Sequence, residues 1–307
     1  MPAQITFPLL SSINAGVNMA FNDQLWAAKP VYPAFTQETQ STGREEVYPR
    51  LDMLRGLREW VGDRVVQSLT MSTFSIRNRT FEQTIGVARE DIEDDKYGFL
   101  RDIAAEMGQN AARYPDTLVA SLLKGGATTP CYDGQNSFDP AHPNYAADGT
   151  ASTAANYTAG GGQPTWYLID TSRILKPVIL QRRRPFTVIP KFSMTDPQVF
   201  WNKEFEWGVD GRLNVGFGLW QLIYASTQAL TADNLTAART TMSTYRRPDG
   251  APMGISPDKL VVPSVLYPAA KALFENEFQP IAAASAVTLV PNPVRGMFAP
   301  VENPWLN

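Results

Sequence analysis

One stretch restricts the fold more than any other. Between residues 100 and 122, Leu100, Ile103, Met107, Ala111, Tyr114, Leu118 and Leu122 recur at intervals of three and four. That spacing draws one face of an α-helix. Glu93, Asp94 and Asp95 precede it, offering a capping carboxylate and negative charge against the orphan amides and the helix dipole. Gly125 and Gly126 follow it as a stop. Pro115 removes one backbone hydrogen bond from the interior and predicts a kink or a split there. A helix of this length with a single apolar face needs a partner layer, and the sequence around it reads as strands.

Those strands are short and scattered. Phe81, Ile85 and Val87 fall on one parity, as a half-buried strand requires. Further strands are expected at 166–170, 177–181, 199–207 and 213–225, the last two joined by a hairpin turn at Asp210-Gly211. Residues 259–263 read as a buried strand. Thr231 caps an expected helix over 232–245, and a second covers 265–277. Between 126 and 165 the chain is rich in Gly, Ala, Thr, Asn and Pro, which predicts a flexible surface excursion. Helices and strands interleave, so the expected class is α+β, and 307 residues allow one or two domains.

Two segments lack a buried stripe of their own. Residues 1–40 show no sustained period, and Pro30 and Pro33 stop any helix there. An extended arm is expected, with a short helix near 17–27, docked on the body or on a neighbour. From 44 to 64, charges of both signs crowd together, flanked by β-branched and aromatic residues at 65–74. A long charged hairpin is the simplest reading, because structureless loops of that length are uncommon in compact domains. Its side chains Arg44, Glu45, Glu46, Arg50, Arg55, Arg58, Glu59 and Arg64 are the candidate inter-subunit contacts.

Chemistry is scarce. The single cysteine, Cys131, excludes an intrachain disulfide framework, and the single histidine, His142, would have to serve any Ser-His-Asp or Cys-His site. Cys131, Asp133, Asp139 and His142 share one segment, but the spacing matches no zinc pattern, and their Asp, Gly and Pro neighbours explain it as tight turns. The carboxylates Glu90, Asp91, Glu93, Asp94 and Asp95 serve a helix start before they serve acid–base catalysis. Arg182, Arg183 and Arg184 read as a solvated edge or subunit contact rather than a nucleic-acid grip. Gly160, Gly161 and Gly162 match no phosphate loop. Trp201, Trp207 and Trp220 read as core or interface. No catalytic residue, metal site or cofactor is expected. A formal charge of −3 argues against a dedicated DNA-binding protein, which carries a basic face. The N-terminus does not read as a signal peptide, and no apolar run approaches the ~18 residues of a membrane span.

Several runs resemble, in order, a known family. They are EWVGDR (59–64), TFEQTIGVAREDIEDD (80–95), EMG (106–108), LLKGG (122–126), CYDGQNSFDPAHP (131–143), LWQ (219–221), LTADNL (230–235) and PDKLVVP (257–263). The sequence is similar to the major head subunit family of Mu-like tailed phages. The resemblance implies a Hong Kong 97-type capsid fold, with an N-terminal arm (1–41), an extended loop (42–79) and a peripheral domain with a spine helix (80–126). The first part of an axial domain (127–190), returning peripheral strands (191–230) and the rest of the axial domain (231–307) follow. It further implies a homo-oligomer of pentamers and hexamers enclosing double-stranded DNA without sequence-specific binding, without a membrane, built in the host cytoplasm. A separate scaffold protein and a portal are the implied partners. The competing readings are another virion or cage component, and a β-rich hydrolase or sugar-binding protein.

Overall fold

The computed structural model describes residues 5–48, 75–94, 98–283 and 286–307, with the side chains of 279–288 left aside. Phe7–Ala27 forms helix α1. The Thr6 hydroxyl accepts from the Leu9 amide at 3.4 Å, and proline sits in the first turn, where its missing N–H costs nothing. Leu10, Ile13, Val17, Ala20 and Phe21 are buried. The expected extended arm with a short helix is therefore corrected to one helix of 21 residues, about 30 Å long. Exposed Phe7, Met19 and Trp26 on its outer side blur the period that would have revealed it.

After β1 (Thr36–Gln40), β2 (Glu45–Val47), β3 (Ser75–Arg77) and β4 (Arg79–Ala88) come two helices, α2 (Arg89–Glu93) and α3 (Phe99–Lys124). The acidic cluster does not open the long helix. Glu90 and Asp91 sit in the first turn of α2, which fully buried Ile92 pins to the body, and α3 starts from Gly98. Asp95 lies outside the described residues.

Helix α3 runs through Pro115 unbroken, so of the expected kink or split the split is ruled out. Its buried face is Leu100, Ala104, Met107, Gly108, Ala111, Pro115, Asp116, Val119, Ala120 and Leu123, rotated from the stripe of large residues. Ile103 is 36% exposed. The reason is the close crossing of α1, which selects small side chains: a Cβ on Gly108 would stand 2.2 Å from the Phe21 carbonyl oxygen.

The chain continues through β5 (His142–Tyr145), β6 (Ala151–Ala154), β7 (Tyr157–Thr158) and β8 (Trp166–Ile169) to β9 (Val178–Lys191) and α4 (Pro197–Asn202). Then come β10 (Glu204–Phe217), β11 (Ile223–Ser226), α5 (Ala232–Ser243), β12 (Lys259–Val262) and α6 (Tyr267–Glu275). The hairpin β13 (Phe278–Ala283) and β14 (Ala286–Pro291) and the strand β15 (Ala299–Glu302) end the order. One sheet has the order β1-β9-β10-β4 and a second β15-β12-β8-β11-β7. Thr231 caps α5 as expected, accepting from the Asn234 amide.

Two more expectations fail for physical reasons. Asp210-Gly211 makes no turn: β10 passes straight through it, with irregular pairing to β9 between Asp210 and Leu213. Gly211 is there for close approach, since a Cβ would meet the Phe186 ring at 2.6 Å. Val199 belongs to α4 rather than a strand. The stretch 126–165 is no loose excursion either. It holds the β5–β6 hairpin and buries Ser137, His142, Asn144 and Asn156, so its small polar residues serve an ordered hydrogen-bonded core.

Candidate functional site

The charged excursion has a defined base. β2 and β3 pair antiparallel, Glu45 opposite Arg77, Glu46 opposite Ile76 and Val47 opposite Ser75. Arg50, Arg55, Arg58, Glu59 and Arg64, with the strand expected at 65–74, lie outside the described residues.

Of the three candidate contacts that are described, two are used by their own chain. The Glu46 carboxylate accepts from the Thr42 amide at 2.6 Å, the Gly43 amide at 2.9 Å and the Ser41 hydroxyl at 3.0 Å. Those amides hold its carboxyl below the usual range. Glu45 accepts from the Ser75 hydroxyl across the pair. Arg44 exposes its side chain, while its carbonyl accepts from the Asn78 amide at 3.0 Å.

What anchors the base was not visible in the sequence. Asn78 is buried and donates to the Ser41 hydroxyl (2.8 Å) and the Gly43 carbonyl (2.9 Å). Fully buried Gln181, on β9, donates to the Asn78 amide oxygen (2.8 Å) and the Ile76 carbonyl (2.9 Å), and accepts from the Tyr48 hydroxyl (2.9 Å). Burial, and then the nearby Glu46 charge, push the Tyr48 phenol up to about 12, so it stays a donor. Every polar atom of the Gln181 side chain thus ties the hairpin to the sheet. Gln181→Leu, similar in volume, is expected to cost ~1–3 kcal/mol by orphaning these partners. A thermal melt equal to that of the unaltered chain, with no faster proteolysis at the hairpin, would refute this anchor.

The arginine run is also spent locally. Arg182 pairs with Glu38 at 2.6 Å, Arg183 donates to the Ser41 carbonyl at 3.2 Å, and Arg184 pairs with Asp210. Two of the three arginine charges on this stretch of β9 are thus paired with carboxylates.

The segment with Cys131 and His142 forms a buried knot. His142 is 0% exposed and stacks on Trp220, centroids 4.2 Å apart and planes within 8°. Its Nδ1 meets Asp133 Oδ2 at 2.7 Å and its Nε2 meets Asn156 Oδ1 at 3.1 Å. Asn156 Nδ2 donates to the Ser137 carbonyl, which fixes its oxygen toward the ring. Both ring nitrogens are therefore engaged by side-chain oxygens, and neither is open to a substrate. Burial, then the Asp133 charge, push the Cys131 thiol up to about 12, which leaves it no thiolate for attack. Among the described residues no group of three or more His, Cys, Asp and Glu side chains could hold a metal ion, and no helix is long and apolar enough to cross a membrane. Trp207 and Trp220 are core, whereas Trp201 is exposed.

Comparison with known proteins adds the family. Residues 10–306 match the family described as the Mu-like prophage major head subunit gpT. The chain is similar to the major capsid protein of Escherichia phage Mu, 38% identical over 90% of this chain and 91% of that protein. It is also similar to the Mu-like prophage FluMu major head subunit of Haemophilus influenzae, 36% identical over 90% and 92% of the two chains. Among solved structures it resembles the procapsid chain of bacteriophage JBD30, with a TM-score of 0.82 and 37% identity, covering 98% of this chain and 100% of that one. It resembles the JBD30 capsid chain with a TM-score of 0.75 and 28% identity, over 99% and 100%.

Proposed function

The chain belongs to the Mu-like major head subunit family, a virion capsid protein of Hong Kong 97-type fold, and from that premise we propose how it builds its shell. Pentamers and hexamers of this chain close around double-stranded DNA, with a separate scaffold protein and a portal assisting in the host cytoplasm. The sheet β1-β9-β10-β4 with α3 serves as the peripheral domain and the sheet β15-β12-β8-β11-β7 as the axial domain. On this division β9 goes with the peripheral layer, although its residues up to 190 fall in the axial segment drawn from the sequence. The role is structural rather than catalytic, supported by an engaged histidine and a buried, protonated cysteine. Weak, sequence-blind contact with DNA suits a chain of charge −3 whose Arg182 and Arg184 are already paired.

One observation supports the contact assignment: the β2–β3 pair from which the charged stretch departs is locked to its own sheet through Gln181 and Asn78. A rigid root lets a reaching arm address a neighbour, where mixed charges set register more than affinity. Arg50, Arg55, Arg58, Glu59 and Arg64 reach the neighbouring subunit, joined by Arg44 at the root, while Glu45 and Glu46 hold the root itself.

Exposed ion pairs are worth ~0–1 kcal/mol each, so no single substitution should decide the outcome. Reversing Arg50, Arg55 and Arg58 to Glu together should yield a subunit that melts normally but forms no closed shells in electron micrographs. High salt should restore part of the yield, as screening shortens to ~3 Å near 1 M. Wild-type shell yield, or loss of the folded subunit, would each count against this role for the hairpin.

A further inference from the structure

At one end of the four-stranded sheet, the connection between β9 and β10 carries an aromatic tip. Phe200 and Trp201, on α4, are 72% and 78% exposed, and their rings meet edge to face with centroids 4.9 Å apart. Met194, on the same connection, is 41% exposed. Single exposed apolar residues are ordinary; two adjacent aromatic rings offered to water together are not. Solubility gives no reason for them, because the eleven residues from Phe192 to Asn202 contain one charge, Asp196. That carboxylate is turned inward, accepting from the Ser193 amide at 2.9 Å.

The tip is held in place. Val199, the residue before Phe200 on α4, is buried in the cluster with Phe205 and Trp207. The Phe200 amide donates to the Asp196 carbonyl at 3.1 Å. Lys203 takes the left-handed conformation, φ 57°, to turn the chain into β10. Its carbonyl accepts from the Arg89 amide at 2.8 Å, tying the tip to α2. Rings presented on a fixed backbone lose little freedom when they are covered, which is the usual character of an interface anchor.

Position names the partner. β9 and β10 are each 14 residues, so the tip stands about 45 Å from the end where the chain crosses to the second sheet. It lies at the end of the sheet remote from that crossing, on a chain whose family builds closed shells from copies of itself. We infer that Phe200 and Trp201 form an apolar contact with a second copy of this chain, separate from the charged hairpin and insensitive to salt. The inference rests on the shell-forming role given above.

The test uses the full chain produced in bacteria, with particles recovered by sedimentation and viewed by electron microscopy. The double variant Phe200→Ser/Trp201→Ser should fold and melt like the unaltered chain, since neither ring packs in the core. Its threshold concentration for assembly should rise at least tenfold, about 1.4 kcal/mol per subunit, and high salt should not lower it. The single variant Trp201→Phe keeps an aromatic ring and should still assemble. Comparing it with the unaltered chain isolates the fluorescence of Trp201, which should lose its acrylamide quenching once shells form. Double-variant shells at the wild-type threshold would overturn the inference, as would a Trp201 equally quenched in shells and in subunits. A wild-type chain that yields no particles even when produced together with its scaffold protein would instead count against the shell-forming role.

Discussion

Gly108→Ala is expected to destabilise the subunit, and Gly108→Val to leave it largely insoluble. In an open helix interior the alanine exchange would stabilise by about 1 kcal/mol, because glycine pays more backbone entropy. Here the new Cβ would lie 2.2 Å from the Phe21 carbonyl oxygen and about 3 Å from two more backbone atoms of that residue. Backbone cannot rotate aside as a side chain can, so α1 has to lift off α3 along the crossing. Overpacking of this kind costs ~1–3 kcal/mol and can cost more for a branched side chain. The clash outweighs the propensity gain, and the sign of the alanine change is the decisive readout. Thermal melting that shows Gly108→Ala equal to or more stable than the unaltered chain would refute this close crossing.

His142→Ala is expected to cost ~3–5 kcal/mol of folding stability. The side chains of His142 and Asp133 are 0% and 2% exposed, and removing one partner leaves the other a buried, uncompensated charge. The lost ring also leaves a void against the face of Trp220. Asp133→Asn should cost less, since an amide oxygen can still accept from the ring. Urea unfolding of the three proteins ranks them directly; a His142→Ala protein within 1 kcal/mol of the unaltered chain would refute the ion pair.

The same pair sets an acid dependence. Burial pushes the Asp133 carboxyl up, but the hydrogen bond and charge of His142, with the Gln135 amide, bring it below its ordinary 3.8. A depressed folded value means that the folded chain holds fewer protons than the unfolded one. Its stabilisation is present above pH 3.8 and is lost as the pH falls through the lower folded value. In His142→Ala that part of the acid slope should disappear.

Much of the fold was legible where local signals were strong. The Thr231 cap, the buried strand at 259–262 and the long helix ending at Gly125 follow from hydrogen-bonding and periodicity within a few residues. The family, and with it the fold and the capsid role, was legible from the runs at 80–95 and 131–143. The interface candidates were legible only as a class. Charge density marked the stretch around 44–64, but it could not tell that Glu46 closes its own turn or that Arg182 and Arg184 are paired. Trp201, read as core or interface, sits among the exposed rings of the tip.

By itself, the sequence determined the alternation of helix and strand, the scarcity of catalytic groups and the long helix as the central element. These depend on each residue and its near neighbours. Tertiary structure alone decided how far the buried side turns from the expected stripe, because a close crossing rewards Ala104 and Gly108 where hydrophobicity favours Ile103 and Leu118. It alone made Gly211 a seat for Phe186 inside an unbroken strand, and joined Gln181, Asn78 and Tyr48 across a hundred residues into one anchor. Such choices turn on which atoms arrive from distant parts of the chain, and a carboxamide or a glycine has the same local signature whether it meets water, a ring or another backbone.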